Sequence, residues 1–146
     1  MIRDISNNLI DLFETNIEIY LTQIDSEVSD VTPIPKNITS GPTKNMYPEI
    51  FIDVNNLEYE YRTLQSKPNR IYTVEITIML RTSEKDKIEG WCSNYIEAIY
   101  RMIEEKKIND TINQYLEKAD IIDLNIKENT FNKAVVIISR IEEQGN

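Results

Sequence analysis

The chain has 146 residues, with 16 Lys and Arg against 25 Asp and Glu for a formal charge of −9, no His, and a single Cys, Cys92. This composition excludes imidazole catalysis, imidazole metal ligation, a disulfide framework and a Cys-based zinc site. The acidic balance argues against a protein that grips duplex DNA with a basic stripe. At 40% hydrophobic and 28% charged residues, the length suits one globular domain spanning residues 1–146.

Asp4 and Asp11 interrupt the first apolar stretch, so no signal peptide is expected there. The longest nearly uncharged apolar run, Ile76 to Leu80, is far shorter than the ~20 residues that cross a bilayer. The expectation is a soluble protein made inside the cell, with no membrane partner.

Ile2, Ile5, Leu9, Leu12, Phe13, Ile17, Tyr20, Leu21, Ile24 and Val28 recur every three or four residues. That spacing predicts an amphipathic helix from about residue 4 to residue 28, with Asp4 favouring its start as a cap. Residues 31–48 hold four of the five prolines and one of the three glycines. Proline fixes φ and removes an amide donor, so this stretch reads as an extended arm with room for a short edge strand. The arm is longer than most connections inside a compact domain.

Three strands follow in the pattern. Ile50, Ile52 and Val54 share one face of the first; Tyr59 and Tyr61 share one face of the second. In the third, Tyr72, Val74, Ile76, Ile78 and Leu80 point in, while Thr73, Glu75, Thr77 and Arg81 point out. Period two with β-branched and aromatic residues marks half-buried antiparallel strands. Gln65-Ser66-Lys67-Pro68-Asn69 is turn chemistry and joins the second and third strands as a hairpin with a polar tip.

Ser83-Glu84-Lys85-Asp86 has the form of a capping box. Ile88, Trp91, Cys92, Tyr95, Ile99, Met102 and Ile103 then continue at helical spacing to about residue 106, with Asn94 off the stripe. Gly90 inside this helix suggests close packing on the sheet. Residues 110–118 are ambiguous, and Ile112, Tyr115 and Leu116 suit a short helix. A final hairpin pairs Ile122, Leu124 and Ile126 with the alternation from Ala134 to Ile141 around a turn at 129–132. The order predicts an α+β fold: a mostly antiparallel sheet of four to five strands, two main helices on one face, and a Pro-rich arm after the first helix.

Acids are the plentiful functional groups. Glu58 with Glu60, or Asp120 with Asp123, offers two carboxylates for a Mg²⁺ site, but nothing in the spacing supplies a third ligand or the acid-x-Lys strand of metal-dependent nucleases. Three scattered glycines make no phosphate loop. No catalytic, cofactor or metal residue is expected. Cys92, Trp91 and Tyr95 lie on an apolar stripe and read as core. Tyr47, Tyr59 and Tyr61 fit half-buried strands and protein interfaces equally. The hairpin tip and arm beside open sheet edges point to assembly with neighbouring subunits.

The succession of an N-terminal amphipathic helix, a Pro-rich arm, Tyr47-Pro48-Glu49-Ile50-Phe51-Ile52, the strand Tyr72-Thr73-Val74-Glu75-Ile76-Thr77-Ile78 with its exit Arg81-Thr82-Ser83-Glu84, and a helix containing Asn94-Tyr95-Ile96-Glu97-Ala98-Ile99 resembles the tail terminator proteins of long-tailed bacteriophages and phage-tail-like particles. The resemblance covers about residues 2–140. It implies a non-enzymatic virion protein forming a six-membered ring on the head-proximal end of the tail tube. Its implied partners are further copies of itself, the tail tube protein, the neck connector and, in contractile particles, the sheath; DNA would only pass through the lumen. Subunit or tube contacts are expected at Tyr47, Pro48, Tyr59, Tyr61, Arg62, Lys67 and Arg70, with no cofactor. Two other readings compete: a head-tail connector or stopper of the neck, and a soluble cytoplasmic adaptor or small metal-dependent enzyme.

Overall fold

The computed structural model describes residues 2–41, 43–61, 63, 67–108, 111–124 and 130–145. Helix α1 spans Ile2–Val28 and α2 spans Lys85–Glu105. The strands are β1 (Asn37–Thr39), β2 (Glu49–Glu60), β3 (Asn69–Thr82), β4 (Ile112–Asp123) and β5 (Phe131–Glu143), in the sheet order β1-β2-β3-β5-β4. All neighbours are antiparallel except β1 and β2, which run parallel. The α+β class expected from the sequence is the class observed.

Both helices cover one sheet face. The register aligns Ile52, Ile76 and Ile137 across three strands, with Ile50, Ile78 and Val135 in the next row. All six are fully buried, and they meet Leu9, Phe13 and Leu21 of α1 and Ile88, Cys92, Tyr95 and Ile99 of α2 in one core. Each such side chain contributes about 1.5–3 kcal/mol by leaving water. On α1, Ile2 and Val28 of the expected stripe, at the two ends of the helix, are exposed. Asp4 falls inside the first helical turn and is not a cap.

α1 ends at Ser29, whose φ of 57° is left-handed, and the Asp30 amide donates back to the Asp25 carbonyl at 3.1 Å. That six-to-one bond is the Schellman closure, with serine in the place usually taken by glycine. The arm then enters a polar knot. Thr32 donates its amide and hydroxyl to the Asp25 carboxylate (2.9 and 2.6 Å), and the Asn94 amide donates to Asp30 and Thr32 (3.0 and 2.9 Å). The Tyr95 hydroxyl donates to the Pro33 carbonyl at 2.7 Å. Asn94 is therefore buried, contrary to the sequence reading, because it pins the arm to both helices.

Four further expectations are corrected. The predicted strands at 49–54 and 58–62 are one strand, β2, with a bulge at Asn55 that displaces Asn56 onto Thr73. Residues 112–118 belong to β4 and form no helix; a bulge between Leu116 and Lys118 breaks the alternation and mimics helical spacing. Glu84 is the N-cap of α2 and makes no side-chain cap bond, so Ser83 forms no capping box. A Cβ on Gly90 would meet the Asp30 carboxylate at 3.4 Å, so this glycine faces the arm and not the sheet. Trp91 is half-buried at the core margin. The last hairpin pairs β4 with β5, but Phe131 and Asn132 of the expected turn belong to β5 and pair with β3; Ile126 and Asn129 lie outside the described residues, as does Asp110.

Candidate assembly surfaces

At its start β2 is clasped by the arm. Glu49 is completely buried, and its carboxylate accepts from the Asn37 side-chain amide (2.7 Å), the Thr43 hydroxyl (2.8 Å) and the Lys44 backbone N–H (2.8 Å). Burial by itself would raise the Glu49 pKa, but these three donors and the nearby Lys44 charge hold it below the usual carboxylate value. The neighbouring Pro48 is buried after a cis Tyr47–Pro48 bond, and its carbonyl accepts from the Lys36 amide at 2.8 Å. Tyr47 is half-buried with the Arg81 guanidinium 4.2 Å from its ring centroid, a cation–π arrangement. Tyr47 and Pro48 thus hold the arm's end against its own sheet.

At the far end of β2 a second group of expected contact residues comes together. Tyr59, Lys67, Arg70, Pro68, Glu143, Gln144 and Gly145 line a hollow of about 360 Å³. Arg70 pairs with Glu143 at 3.1 Å, and that hydrogen bond raises the Arg70 pKa. The Tyr72 hydroxyl beneath them is buried beside the Arg70 guanidinium, and burial raises its pKa. Gly145 donates its amide to the Asn69 side chain at 3.0 Å and lies so close to the chain at 67–68 that a Cβ would fall 2.4 Å from the Lys67 carbonyl oxygen. Tyr59 and Tyr61 stand 55% and 66% exposed, which marks this end, not the Tyr47 end, as aromatic surface open to a partner. Arg62, with Gln65 and Ser66 of the expected hairpin tip, lies outside the described residues.

Sequence reasoning did not single out the edge strand β4. Among the described residues it pairs on one side only, with β5. Its second half is exposed throughout, with Ile121 and Ile122 at 48% and 45%. The opposite edge is also open among the described residues, where β1 covers β2 only at Glu49–Phe51. An unpaired edge of this length is a template for another strand.

Two other groups bear on chemistry. Lys133 is the partner of Asp123 at 2.9 Å and Glu89 at 3.8 Å, beside a hollow of about 340 Å³; its hydrogen bond with Asp123 raises its pKa. Among the described residues no group of three or more His, Cys, Asp or Glu could hold a metal ion. Burial pushes the Cys92 thiol up to about 11, which disfavours the reactive thiolate. Among the described residues no helix is long and apolar enough to cross a membrane.

No family model and no curated protein matches the chain. Among solved structures, the chain is similar to a chain in the virion of a native gene transfer agent (GTA) particle. That match covers 88% of this chain and 92% of the other, at 6% identity and a TM-score of 0.41.

Proposed function

We propose that this protein is a tail terminator of a phage-type virion. It forms a ring at the head-proximal end of the tail tube, stops tube growth, presents the docking surface for the neck connector, and acts by binding, without catalysis. One observation carries the reading: among the described residues the sheet has two different open edges, β4 on one side and the β2 segment beyond Phe51 on the other. Two unlike edges that complement each other favour head-to-tail contacts, and such contacts close into rings when the rotation permits.

The charge distribution agrees with a channel. On the solvent face of the sheet Asp53 stands directly across from Glu75. Like charges placed opposite each other weaken a sheet, so folding does not ask for the pair. A wall bearing such carboxylates repels phosphates and lets DNA pass without sticking.

The reading is tested by negative-stain microscopy of tail tubes assembled with and without the protein. Tubes capped at one end and uniform in length are expected. Unchecked tubes, with the protein bound only to portal complexes, would move it to the neck; binding to neither would end the virion reading.

A further inference from the structure

The strand directions fix how two copies would join. β2 and β5 run one way, β3 and β4 the other. Laid side by side in one orientation, β4 of one copy therefore meets β2 of the next antiparallel, the more stable pairing.

Register is then restricted by face and charge. Side chains must keep their face, because a one-residue slip turns every one over. On β4, Leu116, Ala119 and Ile121 share the helix-side face with the core rows, and Tyr115, Lys118, Asp120 and Ile122 the solvent face. On β2 the helix-side positions are Val54, Leu57 and Tyr59, and the solvent-side positions Asp53, Asn56, Glu58 and Glu60. Placing Lys118 opposite Glu58 sets Leu116 on Tyr59, Ala119 on Leu57 and Ile121 on Val54, with the bulge residues Glu117 and Asn55 left out at separate points. It also sets Asp120 on Asn56 and Ile122 on Asp53. Sliding to Lys118 on Glu60 would put Asp120 against Glu58. Sliding the other way, to Asn56, would put Asp120 against Asp53. Sliding further, to Asp53, would run β4 into the part of β2 that β1 already covers.

We infer that this chain assembles by adding β4 of one copy to the open edge of β2 in the next, in the register that pairs Lys118 with Glu58 and Ala119 with Leu57. The seam buries the exposed Ile121 and Tyr59 against apolar partners and places the cation of β4 on an acid. It deepens the ring reading, and rests on it only for closure.

The test uses the full chain in a Cys92→Ala background, with Leu57→Cys and Ala119→Cys made separately. Opposite residues of antiparallel strands sit within disulfide reach. Under oxidation at high protein concentration, the mixture of the two variants is expected to give a covalent dimer, and neither variant alone. Self-linking of the Ala119→Cys chain would instead mean a two-fold β4–β4 seam and overturn the proposal, as would a mixture that stays monomeric. Charge exchange supplies an independent readout on exposed residues. Glu58→Lys or Lys118→Glu alone should weaken association in sedimentation by roughly three- to tenfold, and the double exchange should restore it; failure of the double variant to recover argues against this register. Tubes capped by a chain that gives no cross-link would remove the seam and leave termination standing. Cross-links from a chain that caps nothing would do the reverse.

Discussion

Removing the Glu49 carboxylate should release the arm while leaving the core folded. Its oxygens accept three donors from residues 37–44 in a fully buried position. Glu49→Ala leaves the Asn37 amide and the Lys44 N–H without partners, at about 1–3 kcal/mol each if they stay buried. The arm lowers that cost by detaching, so a loss of about 2–4 kcal/mol is expected. Glu49→Gln is milder. One oxygen accepts from both Asn37 and Lys44 and the other from the Thr43 hydroxyl, which can turn to accept from a glutamine NH₂. All three contacts survive without charge, for a loss of about 1–2 kcal/mol. The native pKa is depressed, so the carboxylate's contribution is fully present above the unfolded value near about 4.3 and is lost as pH falls through the native value. The gap between wild type and Glu49→Gln should therefore close toward acid. Urea unfolding at about pH 7 and about pH 3 measures it, and trypsin reports the arm through cleavage after Lys36 and Lys44. A Glu49→Ala chain with an unchanged urea midpoint and an uncut arm would refute the clasp.

Ser29→Gly should raise stability by several tenths of a kcal/mol up to about 1, because Ser29 occupies a left-handed φ that glycine adopts freely; a lowered thermal midpoint would mean the serine makes a contact that outweighs the strain. Gly145→Ala should detach the C-terminal segment, since its Cβ would overlap the backbone at Lys67 and Pro68. Faster hydrogen exchange at positions 144 and 145, with β3 unaffected, is the expected signature. Cys92 should resist a thiol reagent in the native state and react quickly in urea, because its thiol is buried and its pKa raised to about 11; equal rates in both conditions would contradict its place in the core.

The parts legible in the sequence are those where the period stays regular. β3 alternates without interruption from Tyr72 to Leu80, and the structure buries those five inner residues completely. The parts that misled are those where one extra residue shifts the phase. In β2, Asn55 separates Ile50-Ile52-Val54 from Leu57-Tyr59, so one strand reads as two. In β4, Glu117 separates Ile112, Gln114 and Leu116 from Ala119 and Ile121; the apolar residues 112, 116 and 119 then sit at helical intervals. Polar residues with internal roles were illegible for another reason. Asn94 and Glu49 look like solvated surface until the arm folds over them, and their partners lie 62 and 12 residues away in the chain. The expected contact residues divide accordingly: Tyr47 and Pro48 secure the arm, whereas Tyr59, Lys67 and Arg70 gather at the end of the β2–β3 ribbon where the two strands are joined.

Salt separates the forces in the proposed seam. Each copy carries a net charge of −9, so bringing copies together accumulates like charge, whereas backbone hydrogen bonds along β4 and β2 and the apolar contacts of Leu116, Ile121 and Tyr59 are nearly insensitive to ionic strength. The Lys118–Glu58 contact would be exposed, and exposed pairs contribute at most about 1 kcal/mol. Raising salt from about 0.01 M to about 1 M shortens the Debye length from about 30 Å to about 3 Å. That screens the many long-range repulsions more completely than one short-range attraction. Association measured by sedimentation should therefore strengthen with salt. If it weakened steadily instead, ion pairs would dominate the contact between copies, and a seam built on strand pairing would be the wrong description of how they meet.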